Sequence, residues 1–312
     1  MPVNPPGAPS LTGDLLTIHR LLQQPTQIRR RLRTLADMRF VADRILTQRL
    51  RSSGGAVLYE VSEPIVNARP VEAVPPGSEY PRAVTAEGAA ALAAVSKWGQ
   101  STRLTDERIK RHIYPGDELD RVLRKVVNSV VTKVDAVAIA AVASAVTATI
   151  DADTYGGAWN GTTPQILRTI EAAKAAILDL DMGYNPDTIL MSSNKYAIMA
   201  SDEKVAALRR REATDNPIYS GSIDVIDGLK VVVAPASRLP SDDVWVLDSQ
   251  ELGGMADEAD VDPGYTVDEM AVQVQSARVA QNDAWDIWGR RITVPVVMEP
   301  GAGIRIVDTI DP

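Results

Sequence analysis

Hydrophobic positions between residues 117 and 150 follow a single spacing rule. Leu119, Val122, Leu123, Val126, Val127, Val130, Val131, Val134 and Val137 recur at i, i+3, i+4 and i+7, which lays one continuous apolar stripe along an α-helix. Asp120, Arg121, Arg124, Lys125, Asn128, Ser129, Thr132, Lys133 and Asp135 fall on the opposite side, so that side is expected to be wet. Pro115-Gly116 reads as the stop of whatever precedes the helix, and Gly156-Gly157 as punctuation beyond its end. At roughly 1.5 Å per residue a helix over 117–150 is about 50 Å long. Its many β-branched Val residues lose rotamers in a helix, so packing against a flat partner has to hold it.

The segments before it are less regular. Residues 1–13 hold four Pro and two Gly and are expected to form an extended arm ordered only by its contacts. Residues 15–50 read as helix, broken near Pro25, with Leu32, Leu35, Phe40, Ile45, Leu46 and Leu50 as an imperfect stripe. Val57, Tyr59 and Val61 then alternate as in a strand, and Pro64, Pro70, Pro75, Pro76 and Pro81 follow with Arg69, Glu72 and Glu79 between them. So long a Pro-rich segment with little core material is expected to be a two-stranded excursion steadied by another surface. Residues 92–103 alternate again and supply its return strand, and Thr105-Asp106-Glu107 caps a short helix.

Beyond the long helix, Tyr155 to Gly161 is a glycine-rich loop. Thr163, with Pro164 at the first helical position, opens an amphipathic helix through Ile166, Leu167, Ile170, Ala173, Ile177 and Leu178. Residues 188–191 read as a short buried strand, Ser193 as the cap of a helix carrying Tyr196, Met199, Val205, Ala206 and Leu208, and Asp227-Gly228 as a hairpin turn before strands at 229–234 and 244–247. Residues 158–260 thus form a compact α/β unit. Late strands are expected at 270–279, after which Trp285 to Gly289 interrupts, and then at Ile292, Val294 and Val296 and at 304–307. They are the flat surface that the long helix needs.

Composition narrows the function. A 312-residue chain that is 45% hydrophobic can bury one large core or two modest ones. With no Cys there are no disulfides, thiolate metal sites or Cys nucleophiles, as suits a reducing compartment. Neither a basic-then-apolar leader nor an apolar run of about 18 residues is present, so neither secretion nor a membrane span is expected. The net charge of −8 is uneven: residues 1–55 hold nine Arg against three acids (+6), and the remainder holds 24 basic and 38 acidic residues (−14). A basic arm on an acidic body suits docking on another copy's acidic surface or contact with a polyanion.

Motifs for chemistry are weak. His19 and His112 have no metal-spaced partner, and Asp257, Glu258, Asp260, Asp262, Asp268 and Glu269 lack the ligand order of a Ca²⁺ loop. The glycine-rich loop lacks a phosphate-binding Lys, Ser192-Ser193-Asn194-Lys195 shows no paired base, and Asp242 and Asp243, being adjacent, point apart. No enzyme activity and no cofactor are expected. The Arg cluster admits three readings: a solvated face, docking on an acidic neighbour, or phosphate contact. No aromatic residues interleave with it for base stacking. Trp98, Trp159, Trp245, Trp285 and Trp288 read as core or interface anchors.

Two blocks of local wording carry a resemblance. Asn185-Pro-Asp-Thr-Ile-Leu-Met-Ser-Ser-Asn-Lys-Tyr196 reads as a strand leading into a helix, and Asp227-Gly-Leu-Lys-Val-Val-Val-Ala-Pro-Ala-Ser-Arg-Leu-Pro240 is followed by Val244-Trp-Val-Leu-Asp248. Together with the element order they resemble the tailed-bacteriophage major capsid proteins of the Hong Kong 97 fold. The resemblance implies an α+β fold with an N-terminal arm (1–55), an extended loop and its strands (56–104), a spine helix (105–157), an axial α/β domain (158–264) and peripheral strands (265–312). It implies a subunit that assembles in the bacterial cytoplasm as pentamers and hexamers, into an icosahedral virion shell enclosing double-stranded DNA without sequence preference. A portal, and separate scaffold and decoration proteins, are the further partners it suggests, with no membrane and no cofactor. On the loop, Arg69, Glu72, Glu79 and Arg82 are the expected inter-subunit contacts. Arg29, Arg30, Arg31, Arg33, Arg124 and Lys125 are expected to face the lumen or a neighbour, as are Arg121 and Lys133 on the spine. Two departures matter. The founding member cross-links through a Lys on its loop, whereas here no Lys precedes Lys97, so a noncovalent shell is expected. The large cleavable scaffolding domain of some members does not fit into about 55 N-terminal residues, so a separate scaffold protein, or assembly without one, is expected. The competing readings are an encapsulin-like nanocompartment shell and a soluble α/β enzyme.

Overall fold

The computed structural model describes residues 40–67, 69–85, 87–111, 115–161, 164–207, 223–258, 263–267 and 271–310. Its first half contains α1 (Ala42–Ile45), β1 (Gln48–Ser52), β2 (Ala56–Val61), β3 (Ala89–Ala94), β4 (Ser96–Thr105), α2 (Asp106–Arg111) and the long helix α3 (Pro115–Ala145). Next come β5 (Thr149–Asp151), α4 (Ala152–Tyr155), α5 (Ile166–Leu178), β6 (Thr188–Ser192), α6 (Ser193–Ser201), α7 (Glu203–Ala207), β7 (Val225–Ile226), β8 (Leu229–Ala234) and β9 (Val244–Leu247). The last elements are β10 (Gly253–Glu258), β11 (Thr266–Val267), β12 (Gln273–Val279), β13 (Ala284–Val297) and β14 (Gly303–Val307).

Helix α3 has 31 residues, about 46 Å at 1.5 Å per residue. It begins at Pro115 rather than after it, because a fixed φ and a missing N–H cost nothing in a first turn. It stops at Ala145, short of the expected Ile150, because Thr149 and Ile150 are β-branched and join β5, which pairs in parallel with β14. Val122, Leu123, Val126, Val127, Val130, Val131 and Val134 are all buried, and the stripe lies on β13 and β4. Gly289 of β13 sets the closeness of that contact: a Cβ there would stand 2.6 Å from Val126 Cγ1. By length and composition alone Arg121–Ala145 would also suffice to cross a bilayer, but here its apolar stripe is spent on the sheet. Arg121, Arg124, Lys125, Ser129, Thr132 and Lys133 are exposed as expected. Asp135 is not: it is fully buried, because it holds two other segments of the chain.

Two six-stranded sheets organise the rest. The first runs β1-β10-β13-β12-β11, with β4 also paired to β13 over ten residues from Ala284↔Thr105 to Thr293↔Ser96. The second runs β5-β14-β9-β6-β8-β7. Several expectations change as a result. Trp285 to Gly289 is no interruption; it lies inside the 14-residue β13, with Trp285 and Ile287 buried. Gly253–Glu258, read with the central α/β unit, pairs with β1 and β13 of the first sheet, and Gly303–Val307, read with the late strands, closes the second sheet beside β9. The strand expected at 270–279 begins at Gln273, after Ala271 at φ 58°. The return strand expected over 92–103 is two strands, β3 pairing with β2 and β4 with β13; the single alternation spans both because the chain stays extended between them.

Local chemistry explains the smaller differences. Of the helix expected over 15–50, only residues from 40 lie in the described part, and these form four residues of α1 before entering β1. Ser192, not Ser193, caps α6, its side chain accepting the Lys195 N–H. The single helix expected beyond it is split at Asp202, whose Oδ1 accepts the Val205 N–H at 2.9 Å and starts α7. Pro164 lies before α5, which begins at Ile166. Asp227-Gly228 makes the expected tight turn, with φ of 51° and 80°.

Candidate assembly surfaces

The β2–β3 ribbon and the loop it carries make their own two-stranded sheet. Leu58 and Leu92 are direct cross-strand partners and are 74% and 70% exposed, although both are large and apolar. Ile65, Val66, Val71, Tyr80 and Val84 of the loop are exposed as well. Isolated two-stranded ribbons are marginal in water, and contiguous exposed apolar surface marks an interaction site. The sequence expected an excursion needing a partner, and the single chain leaves its apolar face uncovered.

The ribbon is anchored at its root. Ser62 turns the chain at φ 55°, and its N–H donates to Met298 O at 3.0 Å. The Glu63 N–H donates to Glu299 Oε1 at 3.1 Å, and the Tyr184 hydroxyl to Glu299 Oε2 at 2.7 Å. One carboxylate therefore joins the loop to the segment ahead of β6. Burial, and then the Glu299 hydrogen bond, push the Tyr184 hydroxyl pKa up. Of the four loop residues expected at an interface, Arg69 pairs with Glu72 of its own chain at 3.3 Å, both about half exposed, while Glu79 and Arg82 are exposed.

A second surface is basic. Arg124 and Lys125 stand exposed on α3 as expected, with Arg121 reaching Glu118 at 3.5 Å and Lys133 lying 5.3 Å from the Trp98 ring. Arg29, Arg30, Arg31 and Arg33, and both His, lie outside the described residues. Of the acidic stretch only Asp257 and Glu258 lie within them, and Asp257 is taken up by Arg291. Among the described residues no group of three or more His, Asp or Glu side chains is placed to hold a metal ion.

Buried charges hold these surfaces in place, and the sequence reading missed them. Arg291 is fully buried in β13; its Nε and one terminal nitrogen meet Asp257, and both terminal nitrogens meet Asp43, with the Phe40 ring 4.5 Å away. Burial alone would lower its pKa, but the bonds to Asp257 and Asp43 prevail and hold it above the usual value. Asp135 Oδ1 accepts the Ala42 N–H at 3.0 Å and Oδ2 meets Arg238 at 2.8 Å, tying α1, α3 and the turn before β9 together. Burial raises its pKa, against the opposing pull of those N–H groups and of Arg238. A third set closes the second sheet: Lys195 Nζ donates to Thr309 Oγ1 at 2.6 Å and lies 3.5 Å from Asp242, which accepts from Ser192 Oγ. An Arg at a buried position of an alternating strand was the available signal for the first of these.

The same architecture recurs in solved structures. The chain matches a phage-related protein from Bordetella bronchiseptica RB50 at a TM-score of 0.57 and 15% identity, over 90% of this chain and 96% of that one. It matches the capsid of the cyanophage P-SCSP1u at 0.57 and 12%, over 83% and 84%. The virus-like particle from Pyrococcus furiosus matches at 0.55 and 11%, over 90% and 98%. No curated protein sequence matches the chain. At these identities the likeness speaks for the fold, and it bears out the expected Hong Kong 97-like α+β architecture. The phage capsid protein family model matches residues 88–306, from the ribbon's return strand through the second sheet and all of the first but β1. That span is most of the chain, and the chain belongs to the phage capsid protein family.

Proposed function

We propose that this capsid protein assembles as pentamers and hexamers into an icosahedral shell around double-stranded DNA, in the cytoplasm of a bacterial host, and that it has no catalytic role. The carrying observation is the β2–β3 ribbon with Leu58 and Leu92 facing solvent: a surface that one copy cannot cover fits a heterologous contact that closes into rings. The exposed Arg121, Arg124 and Lys125 stripe of α3 supports a face turned toward a polyanion. A second reading is the encapsulin-like nanocompartment shell, which encloses enzymes instead of DNA; the likeness to a virus-like particle from Pyrococcus furiosus supports only that this fold also builds particles of that kind. Particles purified after expression beside a packaging phage separate the two: protected DNA of uniform length is expected, and co-purification of a cargo protein without DNA would favour the second.

A further inference from the structure

The chain passes between its two sheets through two short crossings that lie side by side. Residues 248–252 lead from β9 of the second sheet to β10 of the first, and residues 298–302 lead back from β13 to β14. Their backbones are tied together: the Met298 N–H donates to Leu252 O at 3.0 Å, and the Asp248 N–H to Ala302 O at 2.8 Å. The β2–β3 ribbon meets this junction at the end from which the loop over residues 62–88 departs. There the Ser62 N–H reaches Met298 O, and Glu299 takes the Glu63 N–H on one oxygen and the Tyr184 hydroxyl on the other. Tyr184 is buried beside Gly301, where a Cβ would lie 3.3 Å from its Cε2. The returning leg is drawn in as closely, since a Cβ on Gly88 would stand 2.9 Å from Val61 O and 3.3 Å from Glu63 Cα. Just beyond, a cleft of about 490 Å³ opens between Ile65, Val66 and Thr85 of the loop and Met182 of the body. Hydrogen bonds at the junction, rather than close packing along the loop, therefore fix where the loop departs.

We infer that Glu299 is a positioning residue for assembly: its carboxylate links the extended loop to Tyr184 and so sets the loop's angle against the second sheet. The inference rests on the shell reading above and names what aims the loop within one subunit. A two-stranded ribbon is too weak to hold its own direction in water, so the junction has to supply it. A chain that closes rings needs that direction defined, because each copy must meet the next at a set angle. The link has two arms that can be cut separately. Replacing Tyr184 by Phe removes the arm to the second sheet and keeps the ring on Gly301, whereas replacing Glu299 by Ala removes both.

The chain has no Cys, so spin labels at Ala90→Cys on β3 and Arg168→Cys on α5, both exposed positions, report the ribbon against the second sheet. Pulsed electron paramagnetic resonance of unassembled subunits should give one narrow distance distribution. Tyr184→Phe should widen it roughly twofold and Glu299→Ala further, with the far-UV circular dichroism of the parent retained. In the unlabelled chain the same two substitutions should replace particles of one diameter by a mixture of diameters and open sheets in negative-stain microscopy. A distribution that Glu299→Ala leaves as narrow as the parent's, or uniform particles from that variant, would overturn the positioning role and leave the shell reading intact. A wild-type chain that forms no particles would overturn the shell reading, and the distance widths alone would then decide whether Glu299 aims the loop.

Discussion

Arg291 donates from both terminal nitrogens to Asp43, 248 positions earlier in the chain, at 3.2 and 3.1 Å. This pair, completed by Asp257, fastens the entry segment to the centre of the first sheet. Replacing Arg291 by Met leaves Asp43 and Asp257 with only the half-exposed Arg49 as counter-charge, 2.8 Å from Asp43 and 3.9 Å from Asp257, and a loss of about 3 kcal/mol is expected in urea unfolding of unassembled subunits. Arg291→Lys should also destabilise, since one ammonium cannot serve two carboxylates with the geometry of a guanidinium. A lysine variant as stable as the parent would show that the fork contributes nothing.

Asp135 gives a pH signature. Its pKa is raised in the folded state, mainly by burial, so its titration favours folding below the unfolded carboxylate value, and that contribution is lost as pH rises through the folded value. Asp135→Asn keeps an acceptor for the Ala42 N–H but cannot titrate. The stability of the parent relative to Asp135→Asn is therefore expected to increase as pH falls from 7 toward 4. Urea midpoints at the two pH values check it; a constant or shrinking difference contradicts it.

The contact between α3 and β13 is a packing prediction. A methyl at Gly289 meets Val126 Cγ1 well inside contact distance, so Gly289→Ala should cost about 1–3 kcal/mol by overpacking. Val126→Ala makes room for it. The double variant should be more stable than the sum of the single losses implies, by ~0.5 kcal/mol or more in a denaturation cycle. Strict additivity would mean that the helix does not rest on this glycine.

Much of this could be read from the residue order. The α3 stripe, the Pro-rich excursion and the 188–247 α/β segment rest on local periodicity, turn residues and β-branched runs, all of which neighbours in sequence determine. What escaped was set by distant partners. Thr149 to Asp151 turns to strand because β14 lies beside it, and Gly253–Glu258 joins the first sheet because β1 and β13 bracket it. Asp135 sits at a wet position of the helical period, yet Ala42 and Arg238 bury it. At the candidate interface the sequence identified the loop but not the exposed Leu58–Leu92 pair, because the register of β2 with β3 decides which residues share a face.

That pair yields an assembly prediction. Leu58→Asp with Leu92→Lys removes apolar surface that is already exposed in the single chain, so subunit stability should change by less than about 0.5 kcal/mol. Assembly should nevertheless fall sharply, as followed by sedimentation. With no Lys before Lys97, wild-type particles boiled in detergent should run as single subunits, without a ladder of multimers.

The central claim is a closed shell whose loops are covered by neighbouring copies. Cryo-electron microscopy of the purified, expressed chain tests it most directly. Closed icosahedral particles with pentamers at the vertices, hexamers between them, and each β2–β3 ribbon lying across an adjacent subunit are predicted. Discrete small oligomers, or shells in which the Leu58–Leu92 face stays exposed to solvent, would contradict it.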